Sequence, residues 1–229
     1  MSKNLFKRLI TSIALLFLFF FINFSHQYIF IFSIFIIGLI ICFEANNIFS
    51  NFRNIKYFRK DLMKDKFNFK FLILNLITFF YIFFIFCVFS YLIHNFEGSI
   101  FFPFIISICF FTDIGGYVFG KIIGGKKLSK ISPNKTISGA IGSFIFSILP
   151  LIILIKFNYL NLEFNLNTFV FCLLVSLVSQ LGDLFISFLK RKAKIKDTGK
   201  MLPGHGGVLD RLDGIIFAVP FSYFLLKII

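Results

Sequence analysis

The chain has 229 residues, 58% of them apolar, and a mean hydropathy of +0.91, which excludes a soluble globular domain. Its net charge of +14 and pI of 9.8 would suit a nucleic-acid binder. The basic residues fall between apolar stretches, however, so membrane topology accounts for them without a nucleic-acid partner, and some are placed to meet anionic lipid headgroups.

Apolar stretches of about 16 to 24 residues recur along the chain, the length needed to cross a hydrocarbon core of roughly 30 Å. Seven spans are expected, at 9–24, 28–45, 70–93, 99–120, 138–157, 168–188 and 208–228. The chain thus reads as an all-α, polytopic transmembrane helical bundle, a single integral membrane domain over 1–229. The first span has the length of a signal-peptide core, but no small-residue cleavage site follows, so it reads as retained. Lys3, Lys7 and Arg8 precede it. Seven Lys and Arg between Arg53 and Lys70 fill the second loop, five Lys between Lys121 and Lys135 the fourth, and six Lys and Arg between Lys190 and Lys200 the sixth. The loops around His26, His94–Ser99 and Asn158–Asn167 hold no Lys or Arg. This alternation predicts a cytoplasmic N-terminus and an external C-terminus. The 40 Phe, with abundant Ile, Asn and Lys and no Trp, read as the bias of an AT-rich genome. Cys42, Cys87, Cys109 and Cys172 all lie in apolar spans without CxxC spacing and read as packing residues.

Only ten acids are present, and Glu44, Asp113, Asp183, Asp210 and Asp213 fall in or at the edge of a span. An Asp at the centre of a lipid-facing helix costs about 2.5–3.5 kcal/mol, so these side chains should face a polar cavity. All five are expected near cytoplasmic ends, Asp183 roughly 7–8 Å inside at 1.5 Å per residue. Asp210 and Asp213 should share one face of the last helix, and Gln180, Asp183 and Ser187 one face of the sixth. Carboxylates at one depth, ringed by Lys and Arg, suit a metal-bound phosphate, and hard oxygen ligands favour Mg²⁺. Arg191 and Arg211 offer bidentate geometry to phosphate. Gly204, Gly206 and Gly207 let backbone approach a ligand, and His205 between them is a candidate site residue.

The fourth loop carries Ser132-Pro133-Asn134-Lys135-Thr136 before Gly139 and Gly142. Lys135 and Thr136 place a cation and a hydroxyl just ahead of a helix N-terminus, a natural anion site. Gly120 to Lys126 matches the first seven positions of a P-loop, but Lys127 stands where a Mg²⁺-binding Ser or Thr should be and a membrane helix precedes it, so a nucleoside-triphosphate P-loop is rejected.

The stretch S-x-L-K-R-x-x-x-x-K-D-x-G-x-x-L-P-x-H-G-G-x-x-D-R-x-D, Ser187 to Asp213, resembles the C-terminal signature of the phosphatidate cytidylyltransferases, also called CDP-diacylglycerol synthases. Gln180-Leu181-Gly182-Asp183, Asp113-x-Gly-Gly116-Tyr117 and Ser132-Pro133-x-Lys135-Thr136 resemble other motifs of that family, so the catalytic motifs concentrate in 110–214. The first hundred residues resemble it in hydropathy alone. The resemblance implies transfer of a cytidylyl group from CTP to phosphatidate, giving CDP-diacylglycerol and pyrophosphate for phospholipid biosynthesis. It also implies a Mg²⁺ cofactor, a multi-pass protein of the bacterial cytoplasmic membrane and a homodimer. Under it Asp183, Asp210 and Asp213 are the metal candidates. Ser132, Lys135, Thr136, Ser187, Lys190, Arg191, Lys196, Gly206, Gly207 and Arg211 are expected at the phosphates, and His205 as an acid/base or a phosphate donor. The family's middle motif runs S-P-K-K-T-x-E-G, whereas here Ser138 replaces the Glu and Asn134 one Lys; that acid is either dispensable or replaced by a residue such as Glu44. A transporter should instead place its acids near the midplane with matching interrupted helices, and no internal repeat is visible. A transferase acting on another membrane lipid phosphate or alcohol is the nearest alternative enzyme.

Overall fold

The structure is a computed structural model that describes residues 3–54, 64–96, 100–129, 132, 135–157, 165–204 and 206–228. The described residues are helical, with isolated bridges at Lys127/Thr136 and Leu202/Gly206 and no strand ladder among them. The helices are α1 (Lys3–Phe24), α2 (Gln27–Asn54), α3 (Lys64–Phe80), a π-helical segment (Tyr81–Cys87), α4 (Val88–Phe96), α5 (Phe101–Ile122), α6 (Ile137–Phe146), α7 (Leu149–Lys156), α8 (Leu166–Lys192), α9 (Leu209–Leu212) and α10 (Ile215–Ile228). Among the described residues five helical stretches are long and apolar enough to cross a membrane: Gln27–Phe52, Leu72–Asn95, Phe101–Ile122, Ile137–Lys156 and Leu166–Lys192. They leave Tyr28, Phe32, Phe43, Phe84 and many other large apolar side chains exposed, as a lipid environment demands.

Several boundaries depart from expectation. The apolar part of α1, Ile10–Phe24, keeps the expected bounds to within one residue but is shorter than a full span. The α2 helix runs nine residues past the expected end, and within that extension the Ser50 and Asn51 side chains donate back to the Asn47 carbonyl. The predicted span 208–228 is broken: α9 stops at Leu212, and α10 starts afresh at Ile215. Asp213 lies in that break, so it does not share a helical face with Asp210 as the spacing predicted.

Two compact units are formed, each from two stretches of chain. The first comprises 1–88 and 189–212, the second 89–188 and 213–229.

In the first unit α2 presents Phe30, Ile34, Ile41, Ala45 and Ile48 as a buried stripe. The π segment packs on it through Ile82 and Phe86. A Cβ on Gly38 would lie 3.0 Å from Cys87 Sγ, so the absence of a side chain sets this approach. Farther along, α2 meets α9. The C-terminus of α8 closes with Lys194 in the left-handed region, φ 55°, while the Ile195 N–H reaches the Lys190 carbonyl and the Lys194 N–H the Arg191 carbonyl. This is a Schellman ending built without its usual glycine.

In the second unit α5 and α6 form the most extensive helix pair. A Cβ on Gly115 would stand 2.7 Å from Phe146 Cβ and against the Gly142 carbonyl, and one on Gly142 would strike the Phe119 ring. Two backbones therefore touch, the small-residue packing that membranes favour. Ser143 Oγ reinforces it by donating to the Thr112 carbonyl at 2.8 Å, and Thr112 Oγ1 ties α5 to α8 by donating to Ser176 Oγ at 2.9 Å, all buried.

Candidate active site

The signature residues fall into two clusters, one in each unit. In the second unit the chain returns from α5 through a short antiparallel pairing. Leu128 N–H bonds to the Lys135 carbonyl at 2.8 Å and Ile137 N–H to the Lys126 carbonyl at 3.0 Å. Ser132 contributes through its backbone, its carbonyl accepting from Lys135 N–H at 3.1 Å. Thr136 then caps α6, its Oγ1 accepting from Gly139 N–H at 3.1 Å. Ser138, at the position of the family's acid, donates its hydroxyl to the Gly124 carbonyl and lies 3.0 Å from Thr136 Oγ1. This folding delivers Lys135 to an ion pair with Asp183 Oδ2 on α8. One turn on, Ser187 Oγ donates to Asp183 Oδ1 at 3.2 Å, the shared face that the sequence spacing predicts. The pair is partly open, with side-chain exposures of 31% for Lys135 and 24% for Asp183. Asp213 belongs to the same unit, its Oδ1 accepting from Gly214 N–H at 3.0 Å. Gly182, beside Asp183, meets the Asp213 carbonyl, where a Cβ would stand at 3.0 Å. Asp113 is exposed on α5.

The first unit holds the second cluster, on the segment between α8 and α9. Lys190 Nζ bonds Asp210 Oδ1 at 2.8 Å, with exposures of only 12% and 6%. Asp210 Oδ2 accepts from Thr198 N–H at 2.8 Å and from Gly207 N–H at 2.9 Å, so one carboxylate ties both ends of the segment. Burial pushes the Asp210 carboxyl up, but the Lys190 ammonium and the Gly207 and Thr198 N–H groups outweigh it and hold the group below its ordinary value. Between these ends Leu202 and Gly206 exchange backbone bonds at 2.9 and 3.2 Å, closing a tight turn over Pro203 and Gly204. Gly204 (φ 78°) and Gly206 (φ 86°) take the positive dihedrals this turn needs. His205 lies outside the described residues. An open cleft of about 490 Å³ runs along this segment, with Lys196, Lys200 and Arg211 in its wall and Gly204 and Gly206 beside them. All three cations are exposed, as is Arg191 in the last turn of α8.

Sequence reasoning placed Lys196 and Arg211 at the phosphates and passed over Lys200 in the same wall. It also left Thr198 without a role and gave Glu44 none at this segment. The Glu44 carboxylate, 2% exposed, receives Val208 N–H at 3.0 Å, Leu209 N–H at 2.8 Å and Thr198 Oγ1 at 2.8 Å. The one signal available was an acid buried in an otherwise apolar run.

Residues 54–229 match the Cytidylyltransferase family. The chain belongs to that family. Both lysine–carboxylate pairs and the cleft lie inside the stretch matched to the Cytidylyltransferase family, and Glu44 lies outside it. Proteins named phosphatidate cytidylyltransferase resemble it. One from Staphylococcus haemolyticus (strain JCSC1435) is 45% identical over 119 residues, covering 50% of this chain and 44% of the relative. Another from Staphylococcus aureus (strain COL) is 42% identical over 134 residues, covering 57% and 50%. A third, from Staphylococcus saprophyticus, is 39% identical over 131 residues with the same coverage. The chain thus spans about half the length of the curated relatives it matches.

Proposed function

We propose that this chain is a phosphatidate cytidylyltransferase. An anionic oxygen of the phosphatidate phosphate attacks the α-phosphorus of CTP, the bond from that phosphorus to the oxygen bridging to the β-phosphorus breaks, and pyrophosphate leaves with the bond's electron pair. CDP-diacylglycerol is the product. The attacking oxygen already carries charge, so no base is required, and His205 serves as a phosphate donor. Positioning and neutralisation of charge then carry most of the catalysis.

The observation that carries this reading is the cleft walled by Lys196, Lys200 and Arg211, whose backbone Asp210 fixes at both ends. Exposed cations beside glycine backbone suit the phosphates of a nucleotide. The names of the staphylococcal relatives supply the reaction.

Mg²⁺ fits the donor set. Among the described residues no three acidic, His or Cys side chains converge. Mg²⁺ does not need such a cage, since it is usually held by one or two carboxylates with waters and substrate phosphates completing the shell. Within their own units Asp183 and Asp210 are each a proposed ligand, each neutralised by a lysine on one oxygen and each with lone-pair capacity remaining, and Asp213 is a further candidate. Bound Mg²⁺ would supply charge neutralisation at the phosphates. Lys135 and Lys190, held beside those carboxylates, are placed to give their ammonium groups to phosphate oxygens.

The basic loops support a cytoplasmic N-terminus and a reaction at the cytoplasmic rim of the bacterial inner membrane, where CTP and lipid headgroup both arrive. A homodimer is the assembly this reading carries over from the family. The test is conversion of labelled CTP in detergent micelles with phosphatidate, with and without Mg²⁺, beside Asp210→Asn. Lipid-linked CMP that requires phosphatidate and Mg²⁺ and is lost in the variant is expected. A folded protein that makes no such product overturns the proposal.

A further inference from the structure

We infer that Glu44, outside the matched family region, is a positioning residue for the nucleotide cleft, holding the segment from Lys196 to Arg211 through Thr198 and the start of α9. This inference rests on the cytidylyltransferase reading of that cleft. Four observations converge on it. Glu44 is 2% exposed and sits on the buried stripe of α2, between Ile41 and Ile48. Among the described residues every partner of its carboxylate is a neutral donor: Thr198 Oγ1, Val208 N–H and Leu209 N–H.

The glycines of the motif are shaped around it. A Cβ on Gly199 would strike Glu44 Oε1, and one on Gly207 would strike Glu44 Oε2 and Thr198 Oγ1. Both positions are therefore closed to other residues by a side chain 155 or more positions away in sequence. Finally, Glu44 and Asp210 divide the same backbone between them. Thr198 gives its N–H to Asp210 and its hydroxyl to Glu44, while Gly207 bonds Asp210 and the next two N–H groups bond Glu44. The two carboxylates together pin both ends of the segment that carries Lys196, Lys200 and Arg211. Glu44 itself is buried and touches no cleft-lining cation, so its effect on substrate passes through these contacts.

The replacement that tests this is Glu44→Gln, which keeps shape but turns an NH₂ toward N–H donors. Glu44→Asp and Thr198→Val accompany it, all in the full chain in detergent. Two quantities are read: KM for CTP separately from kcat, and the rate of tryptic cleavage after Lys196 and Lys200. The expected result for Glu44→Gln is a rise of about tenfold or more in both KM and cleavage rate, since an NH₂ then faces buried N–H donors that lose their acceptor. Glu44→Asp should recover part of each, and Thr198→Val should shift both in the same direction by less. A purely structural role would lower apparent kcat with the folded fraction and leave KM and the cleavage rate of the folded protein unchanged, and that outcome overturns the inference. If Glu44→Gln fails to fold, Thr198→Val decides by the same readouts, and no change in either overturns it. If wild type does not turn over CTP with phosphatidate, the functional reading fails, and the cleavage rates still decide whether Glu44 holds the segment.

Discussion

Replacing Lys190 with Met should loosen the cleft from beneath. The substitution keeps the length and apolar body of the side chain and removes its ammonium. Asp210 is then left 6% exposed with its two backbone N–H bonds and no cation on Oδ1. Removing one partner of a buried pair costs about 3–5 kcal/mol. The surviving N–H bonds put Asp210 at the lower end, about 3 kcal/mol, or roughly a hundredfold in an opening equilibrium at 1.36 kcal/mol per tenfold. The opening is local, because those N–H groups belong to Thr198 and Gly207. Hydrogen–deuterium exchange across 194–209 reads it directly, and protection there should fall about a hundredfold while α5 and α6 keep theirs. Pairing the change with Asp210→Asn removes the stranded charge and should restore part of the protection. Protection in Lys190→Met within about threefold of wild type, or no recovery in the double variant, would refute the reasoning.

Other outcomes follow from the same contacts. Gly115→Ala pushes a methyl against the Gly142 carbonyl and Phe146, and should lower stability by about 1–3 kcal/mol in thermal unfolding in detergent. Lys194→Gly relieves a side chain held at φ 55° and should raise stability by about 1 kcal/mol in the same assay. Asp183→Asn should cut CTP turnover at least about a hundredfold with folding intact, by weakening the charge arrangement with Lys135. Because the Asp210 carboxyl is held below its ordinary value, the pair's contribution is complete above the unfolded carboxyl value and is lost only as pH falls through the lowered one. Protection over 194–209, corrected for intrinsic exchange, should therefore stay flat from about pH 5 to pH 8.

Hydropathy and spacing made much of this molecule legible. Helix periodicity correctly joined Asp183 to Ser187, because both lie within one uninterrupted helix and an i, i+4 relation depends on nothing else. The same rule failed for Asp210 and Asp213. Asp213 and Gly214 fall between α9 and α10, where Gly214 packs so closely on Ser179 that a Cβ would stand 2.8 Å from its carbonyl. The basic, glycine-rich run from Lys190 to Arg211 was legible as a cluster from charge and glycine content, and the cleft lies along it. Its internal division was not: Lys190 is paired with the buried Asp210, whereas Lys196 and Lys200 line the cleft. Nothing local distinguishes those lysines, because the difference is set by a carboxylate ten to twenty residues away. Glu44 was harder still, since its partners lie over 150 residues downstream and no spacing rule reaches that far.

The touching backbones of α5 and α6 have a genetic consequence. Every glycine codon begins with two guanines, and every amino acid reached from one by a single base change carries a Cβ. A chain with 40 Phe and no Trp has the composition expected of a gene biased toward A and T. At Gly115 and Gly142 each such step would place an atom inside a neighbouring helix. Such a bias cannot cross those codons without separating the helices, so contact geometry there sets a limit on what base composition can change.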